Sequence, residues 1–138
     1  MEAIFENLAR SARHPKWKGC GFLRTSVELI NMPGHPAIVA GRAHKKRVED
    51  WLCSVFAEAG IGGTDAWQLA RQVILLIDGA FSVVLLHRDP GYMDAAGAAA
   101  ASLVRARLAT GREKDGPNGA PITAGDPDVE GDARDEDA

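Results

Sequence analysis

The run from Val73 to Leu86, VILLIDGAFSVVLL, constrains the fold more than any other stretch. Asp78 and Ser82 interrupt it. A bilayer span takes ~20 mostly apolar residues, so the run reads as too short and too polar to cross a membrane. It reads instead as a helix buried over most of its circumference. Such a helix needs neighbours, and a chain of 138 residues has room for one domain that supplies them. Apolar residues make up 46% of the chain and are mainly Ala, Leu and Val. That palette favours helices over strands.

The flanking segments carry helix signals of their own. Residues 2–13 place Ile4, Phe5, Leu8 and Ala12 on one side of a short helix, and His14-Pro15 breaks it. Residues 19–31 predict a second helix, closed by the turn chemistry of Asn31-Met-Pro-Gly34. Residues 36–59 are the most regular segment. His44, Val48, Trp51, Leu52, Val55, Phe56 and Ala59 follow the spacing of one helix face. Pro36 suits the first turn and Gly60 the position just past the end. Thr64 or Asp65 is placed to cap the next helix, which runs to about His87; Asp65 and Gln68 have capping-box spacing. Asp89-Pro90 starts a last, alanine-rich helix that runs to about Ala109. The expected fold is all-α, a five-helix bundle over residues 1–109.

Charge divides the chain at the same boundary. Residues 1–109 hold 13 Lys and Arg against 10 Asp and Glu, and residues 110–138 hold 3 against 9. The C-terminal stretch is rich in Gly and Pro and has no apolar periodicity. It is expected to be a disordered acidic tail, because it has too little apolar surface to offset its ordering entropy.

Few residues point to chemistry. Cys20 sits between Gly19 and Gly21 near a helix start, with Lys16, Lys18 and Arg24 close in sequence. A reactive thiol needs a lowered pKa from such surroundings, but a small side chain packed where a loop enters a helix is the simpler reading. Cys53 reads as a filler at a helix flank. With no secretory signal at the N-terminus, two reduced thiols in a cytoplasmic protein are expected. The four histidines, His14, His35, His44 and His87, lie on separate segments and offer no metal-ligand spacing. Lys45-Lys46-Arg47 reads as a solvated basic face rather than a nucleic-acid contact. No phosphate loop, Ser/His/Asp set or carboxylate pair stands out. The expectation is therefore no cofactor, no metal and no enzymatic activity. Asp78 is the exception that demands an explanation. A carboxylate inside an apolar run must pair, accept hydrogen bonds or become neutral. It fits either a polar anchor in a ligand pocket or a helix–helix seam beside Gly79.

Three segments in order, WKGCGFLRTSVEL, HPAIVAGRAHKKRVEDWLCSVFAEAG and QVILLIDGAFSVVLLHRDP, resemble the C-terminal region of TetR-type transcriptional regulators. Cys20, Phe22 and Leu23 match the first piece, Trp51 and Leu52 the second, and Asp78, Gly79 and Ala80 the third. The resemblance covers roughly residues 1–108. It implies a helical domain that binds a small apolar or aromatic effector and forms a homodimer through its last two helices. The helices at 65–87 and 90–109 hold more apolar surface than one small core needs, which agrees. The chain starts inside what resembles the family's linking helix. The expectation is thus a regulator without its own helix-turn-helix and without direct DNA binding.

Expected effector-binding residues are Phe5, Leu8, Phe22, Ser26, Ile30, Val48, Trp51, Val55, Asp78 and Phe81, which combine apolar faces with a few polar handles. Expected dimer-interface residues are Leu69, Val73, Leu76, Val83, Ala96, Ala100, Leu103 and Val104. The rival expectations are a helical oligomerisation module without a ligand and an enzyme using Cys20 as nucleophile.

Overall fold

A computed structural model describes residues 1–114, with side chains as far as Gly111. All regular structure among these residues is helical: α1 (Glu2–Ala12), α2 (Gly21–Glu28), α3 (Pro36–Glu58), α4 (Gly63–His87) and α5 (Gly91–Lys114). The expected acidic tail lies largely outside the described residues. At the near boundary the structure corrects the sequence reading, since α5 continues through Lys114 rather than stopping at Ala109. Gly111 falls inside that last turn, where a single glycine costs only about 1 kcal/mol against alanine.

The helix ends follow from local chemistry. His35 caps α3 through its ring, with Nδ1 accepting the Ala37 N–H at 3.2 Å, and Pro36 occupies the first turn. At the other end of α3, Gly60 has a φ of +91°. The Gly60 N–H reaches the Ala57 carbonyl and the Ile61 N–H reaches the Phe56 carbonyl, both at 3.0 Å. This pair of bonds is a Schellman closure, which favours glycine at the left-handed position. It also buries Ile61 in the core cluster that includes Phe56. Asp89 caps α5 by accepting the Gly91 N–H at 2.8 Å. Two expectations fail at this level. The capping box on α4 does not form: the helix begins at Gly63 without a side-chain cap, and Asp65 instead accepts from Arg107 of α5 at 2.8 Å. Helix α2 is also shorter than the 19–31 expected, because Gly19 takes a φ of +70° and the chain leaves the helical region at Leu29.

α3 packs on α4, α4 on α5, α1 on α5, and α2 on α3. The core is built from Phe5 and Ala9 of α1, Leu52 and Phe56 of α3, Leu69 and Val73 of α4, and Met93 and Ala100 of α5. α1 and α5 approach closely. A Cβ on Gly97 would lie 2.7 Å from the Phe5 Cβ, so the absence of a side chain at 97 is what admits the phenyl ring. α2 is held differently: none of its residues is buried, and it lies against α3 at Gly41 through Phe22 and Ser26.

Candidate functional site

Two surfaces bear on function: the faces of α2, α3 and α4 that were expected to enclose a ligand, and the outer face of α4 and α5.

At the first, Asp78 is explained. Its carboxylate accepts a hydrogen bond from the Lys45 ammonium across the α3–α4 seam, with both side chains half-buried. Lys45 belongs to the basic cluster that reads as a solvated face, yet its position on α3 falls toward α4. The next residue, Lys46, does face solvent. It hydrogen-bonds Asp50 one turn on, and that bond, ahead of the nearby carboxylate charges, raises its pKa above the usual 10.5. Close to Asp78 in sequence, Phe81 meets Trp17 with ring centroids 5.7 Å apart. Phe22 stacks on His44 at 4.6 Å.

The ten expected effector residues do not converge on one cavity. Phe5 is 2% exposed and belongs to the core, while Ile30 is 73% exposed just past α2. Trp51 stands half outside, at 51% exposure. The α3 face is rotated from the expected one: Ile38, Gly41, Leu52 and Phe56 point inward, and Val48 and Val55 flank them half-buried. Two overlapping apolar arcs run along α3, and the Leu52–Phe56 arc is the one that meets α4. Leu8 is half-buried beside the core on α1, away from α2. Phe22, Ser26, Asp78 and Phe81 remain as half-open positions around α2, α3 and α4. Among surface clefts of about 230–380 Å³ on the described residues, Phe5 lines one and the other nine expected residues line none of these. An apolar groove of about 330 Å³ runs between Leu23 and Val27 of α2 and Leu85 and Leu86 of α4. Val27 lies on the second predicted helix and Leu85 in the apolar run; that these two segments meet is a tertiary matter which periodicity does not carry.

Cys20 is the N-cap of α2 and is half-buried; Cys53 is half-buried against the core. Gly19, with Leu85 packed directly on it, turns the chain into α2. Among the described residues no group of three or more His, Cys, Asp or Glu is arranged to hold a metal ion.

The second surface is an uncovered one. Of the eight expected interface residues, Leu69, Val73 and Ala100 are 0% exposed and Ala96 is 9% exposed within the single chain. They serve the chain's own core. Leu76, Val83, Leu103 and Val104 are half-buried. A helix that is apolar nearly all round does not reveal which arc its own bundle will take. Packing takes Ala66, Leu69, Ala70, Val73, Ala80 and Val84. The arc left open runs through Arg71, Leu75, Gly79, Ser82 and Leu86, with Leu75 71% and Leu86 80% exposed. Trp67 stands at its edge, its ring 4.3 Å from the Arg71 guanidinium carbon. On α5 the outward positions Ala95, Ala99, Ser102 and Ala106 are small and at helical spacing. By length and composition α4 as a whole is long and apolar enough to cross a membrane, which the Val73–Leu86 run alone is not. In an apolar 18-residue stretch of it 28% of the residues are fully buried within the chain, and most of the others in the Val73–Leu86 run are half-buried.

No protein-family model, curated protein or solved structure matches this chain.

Proposed function

We propose that this chain is the ligand-binding and dimerisation domain of a TetR-type transcriptional regulator. The observation that carries the reading is the outer face of α4. Its open arc leaves Leu75 71% and Leu86 80% exposed, apolar surface that one copy does not cover. A second copy related by a twofold axis would cover the same face on both chains. The small outward residues of α5 and the bare Gly79, around which a Cβ would meet nothing within 4 Å, would let helices approach. The all-helical order of five elements and the three motif segments that resemble the family point the same way.

The ligand-responsive part is assigned to the α2–α3–α4 side. α2 buries no residue of its own, so displacing it costs less than displacing any other helix. A small apolar or aromatic effector entering between α2 and its neighbours would favour one position of α2 over another. Such a ligand acts by population shift, with coupling of typically ~1–3 kcal/mol. None of the five helices is assigned to DNA. The test is a thermal-shift screen of small aromatic compounds on the full chain, run beside a mass measurement. A ligand bound only by the native state raises the melting temperature. A dimer with no ligand response would favour a plain oligomerisation module instead.

The apolar length of α4 favours a second reading, insertion into a bilayer. The Lys45–Asp78 pair halfway along α4 argues against it, because a charge at membrane depth is costly. Flotation of the chain with phosphatidylcholine vesicles would support insertion and reject the pairing.

A further inference from the structure

A different end of the molecule carries a cleft that neither the bundle core nor the α4 face explains. Where α1 ends and α4 turns into α5, a cleft of about 270 Å³ opens between Arg13, His14, Trp17, Val84, Arg88 and Pro90. Val84 is 2% exposed and forms an apolar base; Trp17 is half-buried and Arg13, His14 and Arg88 are exposed. No carboxylate lines the cleft. Arg88 is the only non-glycine residue at positive φ among the described residues, with φ +56° and ψ +29°. Glycine or asparagine ordinarily closes a helix in that conformation, and an unbranched L-residue there costs about 1–2 kcal/mol. Arg88 lines the cleft, and its guanidinium forms no ion pair among the described residues. Arg13, by contrast, is held by Asp94 at 3.2 Å, which leaves the rest of its planar fork to donate elsewhere. The His14 ring accepts the Lys16 N–H through Nδ1 at 3.2 Å, so Nε2 is left as its N–H donor.

We propose that this cleft binds a small organic anion, a carboxylate or phosphate monoester on a single flat ring. The two arginines suit a planar, multi-oxygen anion, which guanidinium meets with paired N–H donors. The Trp17 face and Val84 suit an apolar ring. The volume lies just under the ~300 Å³ at which drug-sized pockets begin, so one ring with its acidic group fills it. The site stands whether or not the chain dimerises.

The test follows the Trp17 indole N–H signal of the full chain by nuclear magnetic resonance, assigned with Trp17→Phe. The titrants are benzoate, phenyl phosphate, inorganic phosphate and the neutral benzamide. Saturable shifts are expected with benzoate or phenyl phosphate, and whichever binds more tightly identifies the acidic group. Benzamide and inorganic phosphate should each bind at least about tenfold more weakly, the loss expected when a charge-assisted bond or the ring contact is removed. Arg88→Gly keeps the left-handed turn, so its melting temperature should equal or exceed that of the parent, while anion affinity falls about tenfold or more. Unchanged affinity in a folded Arg88→Gly protein, benzamide binding as tightly as benzoate, inorganic phosphate binding as tightly as phenyl phosphate, or no Trp17 response to either ring anion would each overturn the proposal.

Discussion

Leu75→Glu is the substitution that most sharply separates a shared α4 face from a solvated one. Leu75 lies on the open arc and is 71% exposed in the single chain, so the monomer has little to lose at this position. Full burial of a leucine side chain is worth about 1.5–3 kcal/mol, which leaves about 1–2 kcal/mol for a second copy to gain here. An isologous interface counts each position twice, so the pair is worth about 2–4 kcal/mol per dimer. That range corresponds to a weakening of Kd by about 30-fold to about 1,000-fold when the contact is lost. Glutamate adds like-charge repulsion across the axis, so the lower figure is a floor. Sedimentation velocity over a concentration series measures Kd for parent and variant, and urea unfolding of the monomeric fraction checks that the fold survives. A variant that associates as tightly as the parent would refute the assignment of this arc to a partner, whatever the oligomeric state.

Three further substitutions examine the bundle itself. Gly97→Ala brings a Cβ to 2.7 Å from the Phe5 Cβ and should cost about 1–3 kcal/mol as an overpacked contact, despite alanine's better helix propensity; a gain in urea stability would show that α1 does not approach α5 this closely. Gln72→Leu should raise stability by about 1 kcal/mol, because the Gln72 Oε1 is buried without a hydrogen-bond partner and leaving it so carries a desolvation cost; a drop in melting temperature would mean that the oxygen is satisfied in solution. Lys45→Met strands the half-buried Asp78 carboxylate at the α3–α4 seam and should destabilise by about 1 kcal/mol at neutral pH, with most of the loss recovered in the Lys45→Met, Asp78→Leu double variant. Equal stability of the single and double variants would leave the pair without a structural role.

How much of this was readable before the structure depends on what kind of information each feature needs. Existence and order of the five helices are local properties, written in periodicity, Pro36, Gly60 and the Asp89-Pro90 start, and they match the observed elements. Helix ends are less local. Asp65 has the spacing of a capping box but is claimed by Arg107, 42 residues away. Which arc of a helix faces inward is a tertiary matter whenever more than one arc is apolar. On α3 the choice between Leu52–Phe56 and Trp51–Val55 is made by α4, and on α4 the buried arc is chosen by α3 and α5. That is why Leu69 and Val73 were expected at an interface and belong to the core. The need for a partner at Asp78 was legible from its place in an apolar run; that the partner is Lys45 was not, since it depends on the rotation of α3. The Arg88 conformation leaves no trace in sequence, because arginine is not a residue that ordinarily signals a left-handed turn.

The central claim is that the outer face of α4 belongs to two chains at once. Isotope-filtered nuclear Overhauser measurements on a mixture of labelled and unlabelled full-length chain test it most directly, with the solution mass measured on the same sample. The account predicts about twice the 14.7 kDa chain mass, and cross-chain contacts from the methyl groups of Leu75 and Leu86 but none from Phe5 or Val73. A mass of one chain at high concentration, or cross-chain contacts confined to some other surface, would contradict it.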